Sequence, residues 1–206
     1  MFARSSTMLA QADSIDAGID HVRNDVMVRM SHLDGFVGLS LMVDRDSGRC
    51  IATSAWRSED AMRASAERAS AIRDGAAAVF GTGATVREWE VAVMHRAHHA
   101  RPGTCTRSSW VSLNPADLDR LRDLFTFETL ASIEDLPGFC SASLMVNRTA
   151  GRAVVTVAYD DRDALDRTRE PGSTIREHTA QQAGLEIIDV AEFDLAVAHL
   201  HVPEMV

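Results

Sequence analysis

The amino-acid sequence predicts an α+β protein built from two tandem copies of one βαββαβ unit, each hiding the open face of its sheet against the other. Three observations carry this prediction. One internal match runs at a nearly constant offset along almost the whole chain. The hydrophobic period switches between strand and helix in the same order in both copies, and the strands are apolar on both faces.

The internal match places Gly35 on Gly138, Gly48 on Gly151 and Arg4 on Arg107, an offset of 103 in each case. In that register Ser40-Leu41-Met42-Val43 recurs as Ser143-Leu144-Met145-Val146, and Arg45, Thr53 and Asp60 recur as Arg148, Thr156 and Asp163. Near the end of each copy the offset becomes 104, pairing Glu88-Trp89-Glu90 with Glu192-Phe193-Asp194 and His95 with His199. A period this long, present twice, is a domain duplication and not a solenoid. The division follows as residues 1–97 for the first copy, 98–104 for a linker holding Arg101-Pro102-Gly103, and 105–206 for the second copy.

Within the first copy, Phe2 to Leu9 reads as the opening strand. Ile15, Ile19, Val22, Val26 and Met30 then fall on one helical face, with Asp13 placed to cap it. The matching helix of the second copy opens with Asn114-Pro115, a capping residue followed by proline at the first helical position. Phe36 to Val43 and Arg49 to Trp56 are joined by Asp46-Ser47-Gly48 and read as a hairpin. The Ala-rich stretch from Ser58 to Phe80 is a second helix, and Thr85 to His95 a last strand. This order is that of a ferredoxin-like unit, whose sheet has both helices on one face and needs cover on the other. The apolar residues on both parities of Phe36 to Met42 suit that two-sided burial.

Composition excludes more than it selects. The chain has 206 residues, 46% of them hydrophobic, and a formal charge of -9, which gives no basic surface for nucleic acid. Cys50, Cys105 and Cys140 are odd in number and widely spaced, as expected of reduced, buried thiols in a cytoplasmic protein. No segment approaches the roughly 20 continuous apolar residues of a membrane helix. No phosphate loop, dinucleotide fingerprint or nucleophile elbow is present.

Two motifs connect these copies to a known family. Leu136-Pro137-Gly138-Phe139 opens the second hairpin, as Leu33-Asp34-Gly35-Phe36 opens the first. An aromatic residue then closes the third strand ahead of an acidic helix start, in Trp56-Arg57-Ser58-Glu59-Asp60-Ala61 and in Tyr159-Asp160-Asp161-Arg162-Asp163-Ala164. Each copy thereby resembles the antibiotic biosynthesis monooxygenase family of the dimeric α/β barrel superfamily. The resemblance implies two ferredoxin-like repeats forming within one chain the barrel that such proteins make as homodimers, with further self-association open. It implies a monooxygenase acting without metal or flavin on a small aromatic or quinol-type substrate. The alternative is a non-catalytic module of the same fold that binds haem or another hydrophobic ligand. It also implies a pocket between the sheet and its own helices.

Five residues are the candidates for that pocket. Pro171-Gly172 interrupts the second helix of the second copy where the first has Arg68-Ala69, so a kink is expected there, opening space above the sheet. His178 beyond it is the candidate base and stands near the iron-ligating histidine of haem-degrading relatives. Their accompanying tryptophan is replaced by Thr168, and their first-strand asparagine falls on Trp110. Arg107 is the candidate partner for a substrate anion, and Trp110 the wall for a planar ring. Ser108 and Ser143 complete the substrate contacts. Trp56, Trp89, Tyr159 and Phe193 occupy duplicated positions and read as core. His95, His98 and His99, and the pair His199 and His201, lack the further ligands a metal site needs.

Overall fold

The computed structural model describes residues 1–200 and 202–205; His201, half of the His-x-His pair, lies outside the described residues. Its elements run in the order strand, helices, hairpin, helices, strand, twice. The first round comprises β1 (Phe2–Leu9), α1 (Ile15–His21), α2 (Met27–Ser31), β2 (Phe36–Val43), β3 (Arg49–Trp56), α3 (Glu59–Ala64), α4 (Ala66–Val79) and β4 (Ala84–Arg96). The second comprises β5 (Cys105–Ser112), α5 (Leu118–Leu124), α6 (Leu130–Glu134), β6 (Phe139–Asn147), β7 (Arg152–Tyr159), α7 (Arg162–Arg167), α8 (Arg169–Ala183) and β8 (Glu186–Leu200).

Contacts gather the chain into two units that cut across the sequence copies. One is Met1–Trp89 with Phe193–Val202, the other Glu90–Glu192 with Pro203–Val206. In the first unit the hydrogen-bonded strand order is β4-β1-β3-β2-β8, and in the second β8-β5-β7-β6-β4. The long last strands account for this. Phe193 onward in β8 belongs to the first unit, where Leu39 to Val43 of β2 pair with His199 to Asp194, and Glu90 to Arg96 of β4 pair with β6 in the second.

The two units are built alike. The antiparallel register of β5 on β7 runs from Cys105 against Tyr159, that of β1 on β3 from Phe2 against Trp56, both at the offset of 103. Matching bulges interrupt β2 at Phe36/Gly38 and β6 at Phe139/Ser141. Each unit packs its helices on one sheet face around its own core. Ile15, Val22, Leu41 and Phe80 are buried in the first, and Leu118, Leu121, Phe125 and Leu144 in the second.

The glycine motif and the helix-start motif turn out to be one contact. Gly35 and Gly138 have φ of 78° and 74°, and a Cβ at either would lie 2.5 Å from the Cβ of Ala61 or Ala164. Only glycine satisfies both the positive φ and that approach. Ser58 and Asp161 cap the helices that carry these alanines, accepting from the N–H groups of Ala61 and Ala164 at 3.1 and 2.8 Å.

Three local expectations are corrected. Asp13 does not cap α1, because a 3-10 turn begins at Ala12 and puts Asp13 inside it. Asn114 does cap, accepting from the N–H of Ala116 at 3.0 Å. The long helix expected from Ser58 to Phe80 is broken at Ser65, and its counterpart at Thr168, upstream of Pro171. Proline is not the cause, since the first unit breaks without one. At both breaks a hydroxyl turns back on the helix, from Ser65 to the Met62 carbonyl and from Thr168 to the Leu165 carbonyl, each at 2.8 Å. Pro171 then sits in the first turn of α8, where its missing N–H costs no helical hydrogen bond.

Candidate functional site

The second unit encloses a cavity between its sheet and its helices, of about 620 Å³ with its mouth included. The floor is supplied by Ser109 of β5 and Val155, Val157 and Tyr159 of β7. Phe125 and Ile133 close one side, while Gly172, Ile175, Arg176 and Thr179 of α8 close the other. The lining is overwhelmingly apolar, so each polar group in it counts.

Arg107 reaches this cavity, yet its donors are spent. Its Nε and one Nη2 hydrogen go to Oε1 of Glu192 at 3.1 and 2.8 Å, and Nη2 also donates to the Leu165 carbonyl at 2.9 Å. Nη1 donates to the carbonyl and the hydroxyl of Thr168, at 3.1 and 3.3 Å. All five guanidinium hydrogens therefore have acceptors. Arg107 ties β5 to the helix break, adding a donor to the Leu165 and Thr168 carbonyls, which also accept from the N–H groups of Thr168 and Gly172 at 3.2 and 2.9 Å. Its role as anion partner for a substrate is withdrawn on that ground. Gly172 leaves room for this arrangement, since a Cβ there would stand 3.1 Å from Nη1.

Glu192 is the hub of the surrounding charges, meeting Arg107 at 2.8 Å, Arg169 at 2.8 Å and Arg162 at 3.6 Å. Burial pushes its carboxyl upward, but hydrogen bonds and charge from Arg169 and Arg107 outweigh that and hold it below the usual carboxylate value.

The other candidates lie elsewhere. Ser108 stands opposite Thr156, and Thr156 opposite Ser143. All three are thus on the sheet face away from Arg107, and the Ser108 hydroxyl meets that of Thr156 at 2.9 Å. Trp110 shares that far face, three residues from Arg107, and does not line the cavity. His178 is exposed on α8 and also absent from the lining. Of the five candidates the cavity holds only Arg107.

Three side chains outside that set carry the usable polarity. Tyr159 is 2% exposed and Ser109 7% exposed, and neither hydroxyl has a hydrogen-bond partner among the described residues. Arg176 donates to Ser173 Oγ at 2.9 Å and has no ion pair among the described residues. Burial, then the charge of Arg107, lowers its pKa from the ordinary arginine value. Arg176 was discoverable, because it lies one turn after Gly172 on the same helix face, whereas His178 is a further ~200° around.

No histidine lines the cavity among the described residues, so the histidine ligand of the haem reading is not placed there; Tyr159 is the one lining side chain of a type that ligates haem iron. The histidines near the linker are engaged otherwise. His95 lies between Glu134 and Glu204, and His98 is 3.2 Å from Asp160. No group of described residues is arranged to hold a metal ion. Cys50, Cys105 and Cys140 are buried thiols outside any disulfide, and burial pushes the Cys50 thiol up to about 11. No helix is long and apolar enough to cross a membrane.

Two curated proteins of Mycobacterium tuberculosis align with this chain from end to end. The uncharacterized protein Rv2557 is 47% identical over 206 residues, covering 100% of this chain and 92% of its own length. The uncharacterized protein Rv2558 is 48% identical over 207 residues, covering 100% and 88%. The chain belongs to the Rv2557/Rv2558 family. No family model matches it. Among solved structures, this Rv2557/Rv2558 relative resembles an anthrone oxidase-like protein at a TM-score of 0.67 and 12% identity, over 99% of this chain and 93% of the other. It also resembles a Listeria monocytogenes ferredoxin-fold protein related to antibiotic biosynthesis monooxygenases, at a TM-score of 0.52 and 9% identity, over 98% and 95%. A third is the haem-degrading enzyme of Listeria monocytogenes, at 0.54 and 9%, over 94% and 98%. At these identities the likeness is one of fold: this chain has an α+β architecture resembling that of antibiotic biosynthesis monooxygenase-like proteins.

Proposed function

We propose that this chain is a fused pair of ferredoxin-like repeats of the antibiotic biosynthesis monooxygenase type, and that the second-unit cavity oxygenates a small aromatic or quinol-type substrate without metal or flavin. The cavity supports this reading by its chemistry: apolar walls around two unpartnered hydroxyls and one cation that lacks a carboxylate. Such a lining suits a planar apolar molecule bearing one negative oxygen. Arg176 would hold that oxygen, with Tyr159 and Ser109 donating hydrogen bonds to it as charge moves.

The substrate class follows from what the cavity lacks. With His178 on the surface, no imidazole or carboxylate lines the space among the described residues. A substrate that needs a strong base is unsuited, and one acidic enough to enter as its own anion is suited. For an anthrone-like carbon the sequence balances simply. The anion passes an electron to oxygen, the pair collapses to a peroxide on carbon, and a proton completes the hydroperoxide. Loss of water then leaves a carbonyl in place of the CH₂.

The missing base favours one other reading, a ligand-binding module without turnover. Oxygen uptake with a panel of anthrones and acidic quinols, in the presence of a chelator, separates the two. The monooxygenase reading requires uptake that incorporates one atom of labelled oxygen into product and one into water. Saturable binding of the same compounds without uptake would replace it by the carrier.

A further inference from the structure

The first unit holds a cavity of its own, about 500 Å³ with its mouth included, lined by Arg4 and Arg73 together with Ser6 and apolar side chains such as Met8, Val26 and Met30. Arg4 occupies the position of Arg107 and repeats three of its five hydrogen bonds. Its Nε and Nη2 donate to Glu88 Oε1 at 3.1 and 2.7 Å, and Nη2 donates to the Met62 carbonyl at 3.0 Å. The two made by Nη1 are missing. Arg4 is 6% exposed, and its Nη1 is buried with no hydrogen-bond partner, where Nη1 of Arg107 has both acceptors of Thr168. The residue matching Thr168 is Ser65, whose hydroxyl donates to Met62 as that of Thr168 does to Leu165, but which accepts nothing from Nη1 of Arg4.

A buried guanidinium nitrogen without acceptors is costly and uncommon, so a polar oxygen is expected to reach it. We propose that this cavity is a second small-molecule site, whose ligand is a neutral, largely apolar ketone that places its carbonyl oxygen on Nη1 of Arg4. The neutrality follows from the charges around it. Arg4 is matched by Glu88 at 2.7 Å, and Arg73 by Asp74 at 3.3 Å, so an anion would bring a negative charge to balanced pairs. The second unit differs on this point, because Arg176, at the position of Arg73, has no ion pair among the described residues. The two cavities therefore select for different charge states, and this site stands whether or not the second one catalyses.

The test is methionine methyl NMR of the full-length protein. Met8 and Met30 line the first cavity, whereas no methionine lines the second among the described residues. Titration with 1-tetralone should shift both methyl signals saturably. Tetralin, the same skeleton without the carbonyl, should bind at least tenfold more weakly, and 1-naphthoate should not compete. Ala69→Leu, which adds bulk to the wall without touching Arg4, should abolish the shifts in a folded protein. Equal affinity for tetralin and tetralone, or no shift at saturating ketone, would overturn the proposal and leave a bound water as the acceptor for Nη1. Tighter binding of naphthoate than of tetralone would overturn the assignment to a neutral ligand.

Discussion

Arg107 donates twice to a single oxygen of Glu192, at 3.1 and 2.8 Å, and spends its three remaining hydrogens on the carbonyls and hydroxyl at the break between α7 and α8. The guanidinium thus fixes the sheet floor of the second cavity to the helices packed on it. Arg107→Met should remove the guanidinium donors from that break, leave Glu192 without its buried partner and cost about 2–3 kcal/mol, with urea unfolding as the measure. A loss below ~0.5 kcal/mol would mean the guanidinium is dispensable for the fold.

Glu192 makes the same network pH-dependent. Its folded-state pKa lies below the usual carboxylate value, so its contribution is fully present above that value and is lost as the pH falls through the lowered folded one. Glu192→Gln should therefore be less stable than the parent at pH 7, with the difference narrowing as the pH drops below ~4. Thermal melts across that range check it, and a gap that widens in acid would contradict the network.

The glycine motif makes a prediction of the fold rather than of the site. Gly138→Ala meets both a positive φ and a methyl 2.5 Å from Ala164, so it should destabilise by roughly 2 kcal/mol or more. Adding Ala164→Gly should recover only part of the loss, because it removes the clash and not the backbone strain. Full recovery in a double-mutant comparison would assign the motif to packing alone.

Much of this was legible in the residues. The spacing of Ile15, Ile19, Val22 and Val26 marks the helix, and Asp46-Ser47-Gly48 the hairpin turn, because periodicity and turn chemistry are local. The duplication brought out Gly35 and Gly138, although not that each rests on the alanine of the next motif. The site was less legible. Arg107 and Trp110 are three apart on a strand, so they could not share a face, and the pairing of Ser143 with Thr156 and Ser108 places all three serine and threonine hydroxyls with Trp110. Arg176 and Tyr159 acquire meaning only from what fails to meet them, which the linear sequence does not show. The break at Thr168 was masked by the nearby Pro171, the more obvious helix breaker.

If the second-unit cavity binds an aromatic anion through Arg176, 4-nitrophenol reports on it directly, because only its ionised form absorbs strongly in the visible. Binding to the parent protein should lower the apparent pKa of the nitrophenol. Arg176→Met should remove that shift, and Ala180→Phe, which fills the cavity from α8, should remove binding altogether while the protein stays folded. Unchanged binding and an unchanged shift in both variants would place the ligand elsewhere and contradict the account.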